Sequence, residues 1–343
     1  MEYPADMYPE TVSVSLIVPV YNVSDYVVRC IKSIVGQSYT HLECLIVDDG
    51  SSDNSMDLIH HQLESYRGPI IFRFFHHECN RGLSEARNTG IAHARGDYLF
   101  FLDSDDELPP SGINVLVELV EKYPGIEMVV GNMHTLPALS GKTDIPHIAG
   151  KSFPEYSCDN DWMNKRFYRH IDPIPVNACS KLVKRSFIVD NGLFFRAEII
   201  YEDALWMFFV LKKLHSIAFC EKDSYIRHVR EGSIMQSTDT VRSLKSWLVI
   251  LQEVFNHLDK AYSNDQRKKY YRILFLQMAQ IDLHSEESEF YPFYKALVKS
   301  LFKKEILNQP VLLTLSLCIL LMPQSFYQSF IMKKIVGLCL KLT

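Results

Sequence analysis

Four short apolar runs alternate with stretches of helical periodicity between Val14 and Leu102, and that alternation leaves few architectures open. Val14 to Val20 is the first run; after it, Val27, Cys30, Ile31 and Ile34 recur at helical spacing within Val23 to Val35, ahead of the helix stop Gly36. Leu42 to Val47 is the second. It ends in Asp48-Asp49-Gly50-Ser51-Ser52-Asp53, whose serines and aspartates suit the start of a helix from about Asn54 to Tyr66. Pro69 to Phe75 is the third run, Ser84 to His93 a helix closed by Gly96, and Tyr98 to Leu102 the fourth run. Strands apolar on both faces and separated by helices predict a parallel sheet with right-handed crossovers, in which ligands sit at the carboxyl ends of the strands. Polar groups fall at those ends: Tyr21-Asn22, Asp48-Asp49, Asn80-Arg81-Gly82 and Asp103 to Asp106.

The fourth strand runs into Asp103-Ser104-Asp105-Asp106-Glu107, four acids within five residues. Carboxylates packed this closely repel one another and raise each other's pKa, so they stay charged at a strand tip mainly when a divalent cation sits among them. This pattern suits the handling of a diphosphate. A calcium loop is the rival, yet its D-x-D-x-D-G register breaks at Glu107 and its closing Glu is absent. Mg²⁺ or Mn²⁺ held by one or two carboxylates plus phosphate oxygens fits better. The formal charge of -5 carries no basic surplus, which argues against a nucleic-acid partner. At 343 residues there is room for one large α/β domain and an appendage. The eight cysteines form no C-x-x-C pair and several fall inside apolar runs, so a reducing cytoplasm is the expected compartment. Met1 to Asp6 lacks the basic segment and apolar core of a secretory signal, so export by that route is not expected.

Val18-Pro19-Val20-Tyr21-Asn22, Val47-Asp48-Asp49-Gly50-Ser51-Ser52-Asp53, Asn80-Arg81-Gly82-Leu83-Ser84-Glu85-Ala86-Arg87-Asn88-Thr89-Gly90 and Asp103-Ser104-Asp105-Asp106 follow one another in this order. Each is weak alone. Together, in order and at their spacing, they resemble the family 2 glycosyltransferases, enzymes with the GT-A fold. Gly192-Leu193-Phe194-Phe195 leading to Tyr201-Glu202-Asp203 resembles the acceptor-side segment of that family, and Arg230-Glu231-Gly232-Ser233-Ile234 its loop over the donor. The resemblance therefore reaches about Gln236. It implies an α/β, Rossmann-like and mostly parallel sheet in a domain over residues 1–236, with a nucleotide-binding half over about 13–130 and an acceptor half over about 131–236.

By the same resemblance Asp49 accepts the N3–H of a uracil ring, the turn from Pro19 through Tyr21 to Asn22 wraps the base, and Asp103 faces the ribose. Asp105 is the expected metal ligand, with Asp106 as a second ligand or its hydrogen-bonding partner. Arg230 contacts the diphosphate, and His228 can join the metal shell. For Asp49 the competing role is a helix N-cap. Arg87 lies in the first turns of a helix whose N-terminus points toward the same sheet edge, where it can meet a phosphate; pairing with Glu85 or another surface carboxylate is the alternative. Asp203, second of the family's acidic pair, is the expected base that takes the proton of the acceptor hydroxyl, although the helix dipole alone also favours an acid there. One departure stands out: where the family has a tryptophan before its Asn/Ser-Lys-Leu element, this chain has Ala178-Cys179-Ser180-Lys181-Leu182. Trp162 and Trp206 are the expected replacements for that stacking surface.

Residues 237–305 read as a helical cap, with Leu244, Trp247, Leu248, Leu251, Val254, Phe255 and Leu258 on one face, and Tyr270, Ile273, Leu274, Met278 and Ile281 after a polar break. In 306–343, Val311 to Met322 is uncharged but only about half of the roughly 20 residues a spanning helix needs. Lysines border it and the next apolar stretch, which suits an in-plane anchor or a shallow re-entrant hairpin on the inner face of the plasma membrane; a tail packed on the domain or on another subunit is the alternative. The implied activity is inverting, metal-dependent, non-processive transfer of one sugar from a nucleotide-diphosphate sugar, by expectation a UDP-sugar, to a hydroxyl of a glycan or lipid-linked acceptor in cell-surface polysaccharide synthesis. A sugar nucleotidyltransferase should carry a glycine-rich basic loop where Val20-Tyr21-Asn22-Val23-Ser24 stands, and a catalytically silent glycan-binding protein would not need Asp105 and Asp203.

Overall fold

The computed structural model of the chain describes residues 11–136, 148–149, 151–168, 174–229, 239–258, 263–281 and 286–305. By its contacts the chain divides into two units: residues 1–163, 175–198 and 209–236, and residues 164–174, 199–208 and 237–343. The second unit thus takes two short segments from within the region up to Gln236.

In the first unit, among the described residues, β1 (Val14–Val20), β2 (Leu42–Asp48), β3 (Ile71–His76), β4 (Tyr98–Phe101), β5 (Met128–Leu136), β6 (Tyr156–Ser157), β7 (Lys181–Lys184) and β8 (Ile217–His228) form one sheet. Their order is β3-β2-β1-β4-β7-β5-β8-β6. The four strands expected from the apolar runs pair in parallel, as the alternation demands. β7 lies antiparallel between β4 and β5, and β6 antiparallel on β8, so the sheet is mixed beyond β4. Between β1 and β4 the strand order reverses, because the chain first builds outward through β2 and β3 and then returns to the other side of β1.

β1 is buried at every position. On one face Leu16, Val18 and Val20 share a cluster with Val27, Cys30, Ile31 and Ile34 of α1 (Val27–Val35) and with Leu116, Leu119 and Val120 of α4 (Asn114–Lys122). On the other, α3 (Leu83–His93) approaches so closely that a Cβ on Gly90 would lie 2.3 Å from Ile17 Cγ2. Only glycine permits that approach. Two expectations need correction. α1 starts at Val27 rather than Val23, because Val23 N–H donates to Ser55 Oγ at 2.9 Å and Ser24 N–H to Asp53 Oδ2 at 3.0 Å, which ties both residues to the start of α2 (Ser55–Leu63) and keeps them in the loop after β1. β3 is not buried on both faces, since it forms the sheet's edge and leaves Ile71 and Phe74 exposed.

α5 (Asn160–Tyr168) and α6 (Arg185–Asp190) flank β7 in sequence, and α7 (Glu202–Lys213) precedes β8. The second unit holds α8 (Thr240–Asn256), α9 (Ser263–Gln280), a 3-10 turn (Glu286–Phe290) and α10 (Tyr291–Glu305). Asp239 caps α8 by accepting from Arg242 N–H at 2.9 Å, and Leu244, Leu251, Val254 and Phe255 are buried as the helical period predicts. The polar break expected between the two apolar patterns, Ser263 to Asp265, forms the first turn of α9, and Tyr270, Leu274, Met278 and Ile281 are buried. No helix among the described residues is long and apolar enough to cross a membrane. The apolar segments of 306–343 lie outside the described residues.

Candidate active site

The carboxyl ends of β1, β2 and β3 are laced together by the loops that follow them. Val20 of β1 is in register with Asp48 of β2, and Asp48 with His76 of β3. Asn22, with a φ of 50, turns the chain so that its Oδ1 accepts Ser52 N–H at 2.8 Å and Asp53 N–H at 3.3 Å. Tyr21 beside it is 45% exposed, whereas Pro19 is buried within β1. Asp48 accepts Ser51 N–H at 2.9 Å and meets His76 Nδ1 at 2.8 Å. Gly50, at φ +72, lies against the Cys79 backbone, 2.8 Å from where a Cβ would be, so this loop tolerates no side chain there.

Asp49 is buried and held by the loop between β3 and α3. Its Oδ1 accepts Arg81 N–H at 2.9 Å and meets His77 Nδ1 at 2.7 Å, and its Oδ2 accepts Gly82 N–H at 2.7 Å. The N-cap alternative fails: the residue bonded to the start of α2 is Asp53, which accepts Ser55 N–H at 3.0 Å. His77 is itself buried and reaches Thr89 Oγ1 of α3 with Nε2 at 2.9 Å.

The acidic cluster begins two residues past the end of β4, at Asp103. Asp103 Oδ1 accepts from Arg87 Nη2 at 3.0 Å, Oδ2 from Cys179 Sγ at 3.2 Å, and its N–H donates to Tyr225 Oη at 3.2 Å. Arg87 is 1% exposed and lies over the Phe195 ring at 5.2 Å. The surface-pair alternative for Arg87 is therefore wrong, and Glu85 instead bonds Arg81 at 2.6 Å. Asn88 clamps the same Phe195 through two backbone bonds of 2.8 Å, so the Arg-Asn pair of α3 fixes the Gly192 to Phe195 segment.

Asp106 is buried, accepting Tyr225 Oη–H at 2.6 Å and His228 N–H at 2.8 Å. Burial, with Asp103 and Asp105 adding repulsion, pushes its carboxyl up to about 8. The Tyr225 hydroxyl is pushed well above its ordinary value, chiefly by burial. Glu107 closes the loop: its Oε1 meets Arg29 Nε at 3.0 Å and His228 Nε2 at 2.6 Å, while its backbone pairs with Ile226. Arg29 also donates to the Asp105 carbonyl at 2.7 Å.

Among the described residues no three His, Cys, Asp or Glu side chains converge as a ligand cluster. His228 Nε2 faces Glu107 rather than the aspartates, so the structure does not bring His228 into a ligand set with Asp105 and Asp106. The chemistry of the loop nevertheless fits a hard divalent cation. Its side-chain donors are the carboxylate oxygens of Asp103, Asp105 and Asp106, the hard oxygen ligands such a cation takes. Arg230 lies outside the described residues. Asp203 sits half-buried in the first turn of α7, after Tyr201 at φ 64, and belongs to the second unit. Trp206 cannot offer a stacking face, being 2% exposed; Trp162 is partly exposed and packs edge-on against Phe219. His77, Cys179, Tyr225, Arg29 and Glu107 were not assigned roles from the sequence. His77 shares the strand-end position that marks the other site residues, whereas Tyr225 is 119 residues from Asp106 and carries no local signal.

Comparison with known proteins bears on the family and the fold. The model of Glycosyl transferase family 2 matches residues 15–138, from β1 through β5. EpsH, a proposed glycosyltransferase of Bacillus subtilis (strain 168), is 41% identical over 232 residues, 66% of this chain and 64% of EpsH. Glycosyltransferase GlyG of Streptococcus pneumoniae serotype 4 is 28% identical over 247 residues, 71% of this chain and 78% of GlyG. Of three further relatives the aligned stretch spans only 31% to 56%. Among solved structures, residues 1–349 of Staphylococcus aureus TarS in complex with UDP-GlcNAc superpose with a TM-score of 0.70 at 20% identity, covering 92% of this chain and 89% of that one. The mannosyltransferase PcManGT of Pyrobaculum calidifontis, in complex with GDP-Man and Mn²⁺, gives 0.54 at 14% identity, covering 99% and 90%. The sheet order, the family match over its first five strands and a relative 41% identical along two thirds of the chain lead to one assignment: this protein belongs to glycosyl transferase family 2 and has the GT-A fold.

Proposed function

We propose that this enzyme moves a single sugar, with inversion, from a UDP-sugar to a hydroxyl of a glycan or lipid-linked acceptor, in a metal-dependent and non-processive reaction. The observation that carries the reading is the gathering of Tyr21, Asn22, Asp49 and Asp103 around the point between β1 and β4 where the strand order reverses. In open α/β sheets that crevice is where nucleotides bind. UDP is favoured over other nucleotides because TarS, the structure with the higher TM-score of the two described, was solved with UDP-GlcNAc.

In this reading the Pro19 to Asn22 turn and Asp49 receive the base, Asp103 the ribose, and Asp105 with Asp106 the cation. A bound Mn²⁺ or Mg²⁺ supplies neutralisation of the charge that develops on the leaving diphosphate. Arg87 acts from behind, holding Asp103 in place, and Arg230 completes the diphosphate contacts. Asp203 takes the proton of the acceptor hydroxyl as its oxygen bonds the anomeric carbon and the bond from that carbon to the diphosphate breaks. Lysine-bordered apolar segments within 306–343 would hold the enzyme on the inner face of the plasma membrane, beside a lipid-linked acceptor.

The test is to incubate the full chain with Mn²⁺ and a panel of nucleotide sugars and to measure release of the nucleoside diphosphate. Metal-dependent release from UDP-sugars is expected. A panel giving no release above the enzyme-free rate would overturn the reading, and release from GDP-sugars alone would reassign the base.

A further inference from the structure

His76 and His77 end β3 and face Asp48 and Asp49 at the end of β2, one histidine to each carboxylate. The two pairs differ in burial. The His76 side chain is 65% exposed and only Asp48, at 7%, is buried, so this contact is open to solvent on the histidine side and is worth less than a dry one. His77 and Asp49 are 6% and 4% exposed, and at 2.7 Å their contact is dry.

We infer that His77 is a positioning residue for donor binding, setting through its ring the direction in which Asp49 presents its carboxylate to the nucleotide base. The inference rests on the proposed binding of a nucleotide sugar at this edge. An ionised carboxylate only accepts, so the His77 nitrogen facing it, Nδ1, carries the proton; in the neutral ring Nε2 then accepts from the Thr89 hydroxyl. Thr89 stands on α3, so the ring is gripped from both sides and its tautomer is set by two partners. Oδ1 of Asp49 already takes two donors, His77 Nδ1–H and Arg81 N–H. Oδ2 takes one, from Gly82. A carboxylate oxygen can accept two, so Oδ2 keeps the capacity for one further donor, which an imide N–H supplies. Of the three groups that fix this carboxylate, His77 is the one side chain; the others are backbone. Without it Oδ1 loses its buried side-chain donor, and one backbone N–H on each oxygen is left to hold the carboxylate.

The test measures UDP binding to the full chain by calorimetry with Mn²⁺ present, alongside the melting temperature. His77→Leu removes the donor and should raise the UDP dissociation constant about tenfold, the worth of one hydrogen bond to a charged group. His77→Asn keeps an N–H near the position of Nδ1 and should restore affinity to within about threefold of wild type, whereas His77→Gln, whose amide reaches toward Nε2, should not. If His77→Leu does not fold, the Asn and Gln pair carries the comparison. Thr89→Val should weaken UDP less than His77→Leu, and His76→Leu should leave it unchanged. Equal UDP affinity in wild type, His77→Leu and His77→Gln would overturn the inference. So would a folded His77→Asn that binds as weakly as His77→Gln. A wild-type protein that binds no UDP would instead overturn the functional reading, and this inference with it.

Discussion

Replacing Arg87 by methionine should destabilise the first unit and weaken donor binding together. The guanidinium is nearly solvent-free, with a side chain 2% exposed, while its partner Asp103 is 32% exposed. Breaking a fully buried pair by deleting one member costs about 3–5 kcal/mol. Here the cost is lower, because the Asp103 carboxylate can recover part of its solvation and keeps the Cys179 thiol on Oδ2. Loss of the cation over Phe195 adds about 0.5–2 kcal/mol, and relief of the guanidinium's own desolvation subtracts a similar amount. A net loss of about 2–3 kcal/mol follows, which for a unit of this size lowers the melting temperature by about 5–10 °C. Arg87→Lys should fall between, since it keeps the charge but not the planar fork. Thermal melts of Arg87→Met, Asp103→Asn and the double variant give the coupling, expected at about 1–2 kcal/mol. An Arg87→Met protein melting within about 1 °C of wild type, or strict additivity in the cycle, would refute the reasoning.

Asp203→Asn should leave UDP affinity near wild type while turnover falls about 10²-fold or more, as for loss of a general base; a larger fall in affinity than in turnover would make Asp203 structural. For Asp106 the folded-state pKa of about 8 lies above the ordinary 3.8, so the folded protein binds the extra proton. Its contribution to stability is full below about pH 4 and is lost as the pH rises through about 8. In metal-free buffer the wild-type melting temperature should therefore fall more between pH 6 and 8.5 than that of Asp106→Asn, and identical slopes would contradict the assignment.

The parallel core was legible from the sequence because its strands are buried on both faces and so read as nearly continuous apolar runs, broken only by Ser15 in β1 and Glu43 in β2. β1, β2 and β4 are of this kind. β7 was not, since Lys181 and Lys184 bound a run of only two apolar residues, and its antiparallel placement depends on distant pairings, such as Leu99 of β4 and Val129 of β5 with Val183 and Leu182. The site was legible where a strand end and a local motif coincide, as at Asp49 and Asp103. The burial of Arg87 was not: on a helix of mixed polarity nothing local distinguishes an arginine turned toward the sheet from one in solvent, and its partners Asp103, Cys179 and Phe195 come from elsewhere in the chain. The same holds for Tyr225 and Glu107, whose roles arise only when β8 is laid against the acidic loop.

The central claim is that the strand-end crevice takes a nucleotide diphosphate and that the loop from Asp103 to Asp106 takes the cation that accompanies it. Calorimetric titration of UDP into the full chain, in excess chelator and then in Mn²⁺, addresses both halves at once when run beside Asp105→Asn. Binding should tighten at least about tenfold with the metal in the wild type, and Asp105→Asn should lose most of that gain while keeping the metal-free affinity. UDP affinity that is the same with chelator and with Mn²⁺, or an Asp105→Asn protein that responds to the metal as the wild type does, would contradict it.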